Sequence, residues 1–204
     1  RAGTQILTIS PFYPRLMGEL ENFRCVFKGI EKLRNMPFEV WTGTNPLYAY
    51  IRYDDYFNRP DIYGENKFPY GDNHLRFSYL ASAALAYADA IHFDPTTFCG
   101  QDWAGALIAP IAKTTYSESF GKIPFFFTIH NITYDFHVKE SEIERIGLPR
   151  VDFNMNGYEF WGKVSLLKAG VFYAKKVILP SPGYCDGIVN NHLGGGLSGF
   201  LVRN

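Results

Sequence analysis

The stretch PFFFTIHNITY, residues 124–134, runs apolar and then stops on His130 and Asn131. Both side chains require hydrogen-bond partners, whereas a continuously apolar strand is buried on both faces. The pair therefore either satisfies the strand end or is presented by it. Two further polar groups close similar short runs: Asp102 follows TTFCGQ, and Ser181 follows KVILP. Asp, His and Ser are the residue types of a hydrolytic triad. No serine sits in the GxSxG turn that would expose it as a nucleophile, so acyl transfer is not indicated.

Several other patterns carry no chemistry. Gly194 to Gly199 reads GGGLSG and formally fits GxGxxG, but it follows NNHL rather than a strand, so it is not a dinucleotide fingerprint. No GxxxxGK[ST] occurs. Cys25, Cys99 and Cys185 are far apart and lack the spacing of a disulfide framework or a zinc site; no metal is expected. Asn131-Ile132-Thr133 has the form of a glycosylation sequon, but at the end of a buried strand it reads as an accident. Glu159 and Lys163 read as an i,i+4 pair on a solvated helix face.

The elements that must position these groups follow from periodicity. TQILTIS, Thr4 to Ser10, reads as a buried strand. FRCVF, FEVWTG and LYAYIRY read as hairpin-type strands at a sheet edge, and RPDIYGENKFPYG as loop. Residues 72–90 carry helical spacing through Leu75, Tyr79, Leu80, Ala83, Ala84 and Tyr87, with Asp72 or Asn73 as cap. A strand at TTFCG, a helix over QDWAGALIAPIAK entered through Asp102, a strand at IPFFFTI, a long helix over YEFWGKVSLLKAGVFYA, a strand at KVILPS and a helix capped by Ser181 complete the chain.

Strand and helix alternate, which is the signature of βαβ units and a parallel sheet. In such sheets ligands bind beyond the carboxyl ends of the strands, and Gln101, Asp102, His130, Asn131 and Ser181 all fall there. For Asp102 a helix cap is the plain alternative; for His130 it is a satisfied structural histidine.

The totals agree with this reading. A chain of 204 residues, 47% hydrophobic and 20% charged, suits one soluble α/β domain. Net charge is zero, so neither nucleic acid nor an anionic membrane is an expected partner. Three unpaired cysteines fit a reducing compartment. The 14 Tyr and 18 Phe suit an aromatic core, with stacking faces for sugars as the sharper alternative. Residue 1 is Arg rather than Met, so a processed or truncated start is expected.

The motifs resemble those of bacterial glycogen synthases and plant starch synthases. YFNRPDIYGENKFPYGDNHLRFSYLASAAL is similar to that family's "yFdRpgiYg…Y.DN..RFa", FCGQDWAGAL to "hahDWhtal", and FTIHNITY to "fTiHNlaYqg". GYEFWGKVSLLKAGVFYAKKVILPSPGYCDGI and GGGLSGFL match two more in the same order. The resemblance implies a three-layer Rossmann-like sheet with helices on both faces, the N-terminal, acceptor-side half of a GT-B glycosyltransferase. It implies that residues 1–204 form one incomplete domain, without the first strand and KxGGL loop and without the nucleotide-binding domain. It further implies retaining transfer of glucose from ADP-glucose, sometimes UDP-glucose, to the non-reducing end of an α-1,4-glucan. No metal or cofactor is needed, and the setting is cytoplasmic, or plastid for a plant protein.

Carried over residue by residue, the resemblance makes His130 and Asp102 catalytic. His130 would contact the donor sugar near its 6-hydroxyl, with its carbonyl near the anomeric centre, and Asp102 would orient hydroxyls. Asn131, Tyr70, Gln101 and Tyr134 would bind substrate, Tyr70 on the acceptor side. The chain departs from the family at Gln101, where His is usual, at Asp135-Phe136, where "QG" is usual, and at Leu179-Pro180. A non-catalytic relative that binds glucan or regulates a synthase is the alternative these departures suggest.

Overall fold

A computed structural model describes residues 3, 5–15, 18, 20–190 and 193–203. The chain divides into two compact units, residues 1–93 and 94–204. Each has its own sheets and core.

In the first unit, strand β1 (Thr8–Pro11) pairs in parallel with β4 (Tyr48–Arg52). Strands β2 (Arg24–Glu31), β3 (Met36–Thr42) and β4 form an antiparallel meander, and the order is β1-β4-β3-β2. The hairpin reading of these three runs holds, but β3 and β4 are interior strands rather than edges. The reading of a strand from Thr4 shortens to Thr8–Pro11, with Thr4 itself outside the described residues. The turn between β2 and β3 is fastened by Glu31, which is fully buried. Its carboxylate accepts from the N–H groups of Leu33 (2.8 Å), Arg34 (3.0 Å) and Met36 (3.3 Å) and from the Ser82 hydroxyl (2.5 Å).

A short helix α1 (Asp54–Phe57) and a two-residue ribbon, β5 (Gly64–Glu65) with β6 (Phe68–Pro69), lead to helix α2 (Asn73–Ala90). The helix matches its sequence reading in extent. Its small residues, Ala81 to Ala84, are buried along with Phe77 and Tyr79, so the core surrounds it on several sides. Neither Asp72 nor Asn73 caps it. Asp72 instead forms a bidentate pair with Arg59 (2.8 and 2.6 Å), and Asn73 donates to the Tyr63 carbonyl (2.7 Å) and accepts from Arg76 (2.6 Å). A guanidinium within reach outcompetes a backbone N–H for the carboxylate.

In the second unit three strands form a parallel sheet in the order β12-β8-β7: β7 (Phe98–Gln101), β8 (Phe125–Thr128) and β12 (Lys176–Ile178). Helices α3 (Asp102–Gly105), α4 (Ile108–Thr114) and α5 (Ser117–Phe120) connect β7 to β8. Sequence periodicity reads α3 and α4 as one helix. The break has a cause: Pro110, without an N–H, falls in the first turn of α4, where a helix tolerates it.

After β8 come three strands of an antiparallel sheet, β9 (His137–Val138), β10 (Glu159–Phe160) and β11 (Lys163–Ser165), in the order β10-β11-β9. The long helix read over residues 158–174 is therefore wrong in its first half. Trp161 and Gly162 both have positive φ, 51° and 74°, and close a two-residue hairpin between β10 and β11. Glu159 accepts from the Gly162 N–H (2.6 Å) and pairs with no Lys163 on a helix face. Helix α6 (Leu166–Tyr173) starts only after the hairpin and packs on β8. A Cβ on Gly170 would lie 2.3 Å from the Phe127 ring, so only glycine allows that approach. Helices α7 (Pro182–Asn190) and α8 (Ser198–Leu201) close the unit. Ser181 caps α7 as its position suggests, accepting from the Tyr184 N–H at 3.1 Å. Among the described residues no helix is long and apolar enough to cross a membrane.

Glu31→Ala removes the carboxylate that three backbone N–H groups and the Ser82 hydroxyl share, leaving the N–H groups of Arg34 and Met36 without it. The expected loss is about 3 kcal/mol in urea-induced unfolding. A loss below about 1 kcal/mol would show that the turn does not depend on this carboxylate.

Candidate active site

The parallel order β12-β8-β7 puts the carboxyl ends of all three strands at one rim. The last registered pair is Gln101 opposite Thr128, so Asp102 and the residues after Ile129 leave adjacent strands side by side. Ile129 is fully buried, and its N–H donates to the Ile178 carbonyl (3.0 Å). His130, the next residue, is exposed. The apolar run therefore ends where the sheet meets solvent.

Asp102 does not cap its own helix. Its side chain turns back across the rim, where Oδ1 accepts from the His130 N–H at 2.8 Å and, more weakly, from Asn131 at 3.5 Å. To do so the residue takes φ 51°, the left-handed region that aspartate tolerates better than most residues. Such strain collects where a site holds its groups in place. Oδ2 accepts no hydrogen bond from the described residues.

The His130 ring bonds through Nε2 to Gln101 Oε1 at 2.8 Å. Gln101 thus supplies a partner for the His130 ring. Asn131 folds its side chain locally: Oδ1 accepts from the Thr133 N–H (3.0 Å) and hydroxyl (2.8 Å), an Asx turn. Tyr134 donates its N–H to the Asn131 carbonyl (3.2 Å), and the residue is 67% exposed.

Five of the six residues singled out from sequence, Gln101, Asp102, His130, Asn131 and Tyr134, thus gather at one rim of the second unit. Tyr70 lies in the first unit. There the residue is half-buried, with the guanidinium groups of Arg59 (4.8 Å) and Arg76 (5.0 Å) over its ring. Sequence reasoning missed Tyr184, whose hydroxyl accepts from the Ile132 N–H at 2.9 Å and so fastens the same loop from α7. No local signal marks it, because the contact spans 52 residues. Among the described residues no group of three or more His, Cys, Asp and Glu could hold a metal ion.

The family model described as the starch synthase catalytic domain matches residues 1–203. The chain belongs to the starch synthase catalytic-domain family. Curated relatives include the glycogen synthase of Aquifex aeolicus, 31% identical over 98% of this chain and 42% of that protein. The glycogen synthase of Geotalea uraniireducens is 29% identical over 100% of the chain and 44% of that protein. Among solved structures, the catalytic domain of starch synthase IV from Arabidopsis thaliana, bound to ADP and acarbose, superposes with a TM-score of 0.85. The identity is 22%, covering 98% of this chain and 43% of that one, and the likeness shows the fold. The chain spans less than half the length of these starch and glycogen synthases.

The Asp102–His130 clamp has a measurable cost of removal. Asp102→Ala is expected to destabilise the protein by about 2 kcal/mol in urea unfolding, the value of a charge-assisted bond to a backbone N–H. Asp102→Asn, which keeps an acceptor and tolerates positive φ, should lose less than about half of that. Equal losses would mean that the acceptor is not what matters.

Proposed function

We propose that the protein transfers glucose from a nucleotide sugar, ADP-glucose, to the non-reducing end of an α-1,4-glucan with retention of configuration. The carrying observation is the rim itself. Asp102, strained in its backbone, holds the backbone of His130 with its carboxylate, and His130 and Tyr134 are exposed at the end of a parallel sheet with Asn131 turned onto Thr133 between them. Membership of the starch synthase catalytic-domain family supports the substrate class.

The chemistry suits these groups. The transition state resembles an oxocarbenium ion, and a nucleoside diphosphate leaves without a strong acid from the protein. The work consists of holding hydroxyls and stabilising charge in a preorganised site. In this reading the His130 ring contacts the donor glucose near its 6-hydroxyl and the His130 carbonyl lies beside the anomeric centre. Asp102 Oδ2 orients hydroxyls, Tyr134 and Asn131 line the sugar path, and Tyr70 serves the acceptor. The nucleotide contacts come from the part of the protein outside these 204 residues, in the GT-B arrangement of two Rossmann-like domains.

The test uses the full-length protein, ADP-glucose or UDP-glucose, and glycogen, with labelled glucose incorporation as the readout. His130→Ala should lower turnover by about 100-fold or more while shifting the melting temperature by less than about 2 °C. A parallel fall in stability and activity would make His130 structural. The 204-residue chain by itself should show no turnover, and transfer by it would refute the division of labour.

A further inference from the structure

The loop that carries His130 and Asn131 is anchored at its far end as well as at Asp102. Asp135 Oδ1 accepts from the Leu167 N–H at 2.9 Å, and Oδ2 accepts from the Ser165 hydroxyl at 2.5 Å. The Phe136 carbonyl accepts from the Leu166 N–H (3.2 Å), and Ser165 Oγ from the Lys168 N–H (2.9 Å). The first three N–H groups of α6 are thus satisfied, two of them by the loop rather than by the helix's own cap.

The neighbours extend the junction. The Phe136 ring stacks on Trp103 with centroids 5.1 Å apart and planes 26° apart, and Trp103 follows Asp102 directly. His137 Nε2 lies 3.1 Å from Asp135 Oδ2, and its ring stacks on Phe160 at 5.6 Å and 9°. His137 and Val138 also pair with Ser165 and Val164 in the β9–β11 ladder. The Asp135 side chain is only 10% exposed. Burying a carboxylate is costly unless donors surround it. Ser165 caps only the Lys168 N–H of α6; the Leu167 N–H is taken by a carboxylate that belongs to the loop.

We propose that Asp135 is a positioning residue: by tying the loop to the start of α6 it sets where His130 and Asn131 stand relative to Asp102. The proposal rests on the glucosyltransferase reading only for what that pair touches. It gives the departure Asp135-Phe136 a role, with Phe136 fixing the same loop against the residue beside Asp102. His137 makes the anchor respond to pH. Its hydrogen bond to Asp135 raises its pKa above the ordinary imidazole value, against desolvation and the opposing charge of Lys163. The added hold is therefore complete below about pH 6.5 and is lost as pH rises through the raised value.

The test compares Asp135→Ala and Asp135→Asn by amide hydrogen exchange and by the NMR titration of His137. Asp135→Ala should speed exchange of the His130 N–H by about tenfold or more relative to Phe127 and Val177, which lie within the β8 and β12 strands. Asp135→Asn, which keeps an acceptor for Leu167, should do so less and should lower the His137 midpoint. If Asp135→Ala does not fold, Asp135→Asn alone decides on the same two readouts. Unchanged His130 exchange, or equal acceleration at all three amides, overturns the proposal, the latter by reducing Asp135 to a general structural cap. In the full-length protein Asp135→Asn should lower kcat more than it raises KM. A wild-type protein without glucosyl transfer would sink the functional reading and leave the exchange result standing.

Discussion

The hydrogen bond from the His130 N–H to the Asp102 carboxylate joins the ends of two adjacent strands. Parallel strands need long crossovers, so nothing in the local chain holds the residues after β7 against those after β8. Asp102 supplies that link and accepts an unfavourable φ to do it. Once it is made, the rest of the rim has few choices. The His130 ring falls against Gln101, Ile132 reaches the Tyr184 hydroxyl, and Asn131 closes its own turn. The loop is held before, within and after its polar pair, which is what a site requires if it works by orientation.

Carboxylates do similar work throughout the chain. Glu31 gathers three turn N–H groups, Asp135 takes one from α6, and Asp102 takes one from β8's extension. In each case an acidic side chain replaces the backbone acceptor that a loop cannot offer. A buried or half-buried carboxylate is stable there because charge-assisted bonds to N–H groups offset its lost hydration. The buried Arg76 is the counterpart. It donates to the carbonyls of Tyr56 (2.7 Å) and Ile62 (2.9 Å) and so gathers the loop before α2.

Much of the second unit was legible from periodicity. The runs at Phe98, Phe125 and Lys176 are short and apolar, and each becomes a parallel strand with its polar residues at one edge. Ser181 followed by Pro182 marked the start of α7 correctly. Failures came where local propensity met a longer-range partner or a special backbone angle. Asp72 looked like a cap but meets Arg59. Residues 158–165 kept helical spacing, yet Trp161 and Gly162 turn left-handed and the β9–β11 ladder takes the segment as strand. Pro110 sits inside an otherwise continuous helical pattern and moves the helix start to its own first turn.

The sequence by itself determined that strands end in polar residues and that those residues share a rim, because burial and strand period follow from side-chain type. It also determined family membership, through motifs in a consistent order. Only the tertiary structure decided what each polar group does there. Whether Asp102 caps its helix or clamps His130 depends on φ and on a strand 28 residues away in the chain. Whether Asp135 belongs to the site or to the scaffold depends on the start of α6, some 30 residues further on. Such choices are made by competition among hydrogen-bond partners brought close by folding, and the local sequence does not contain the competitors.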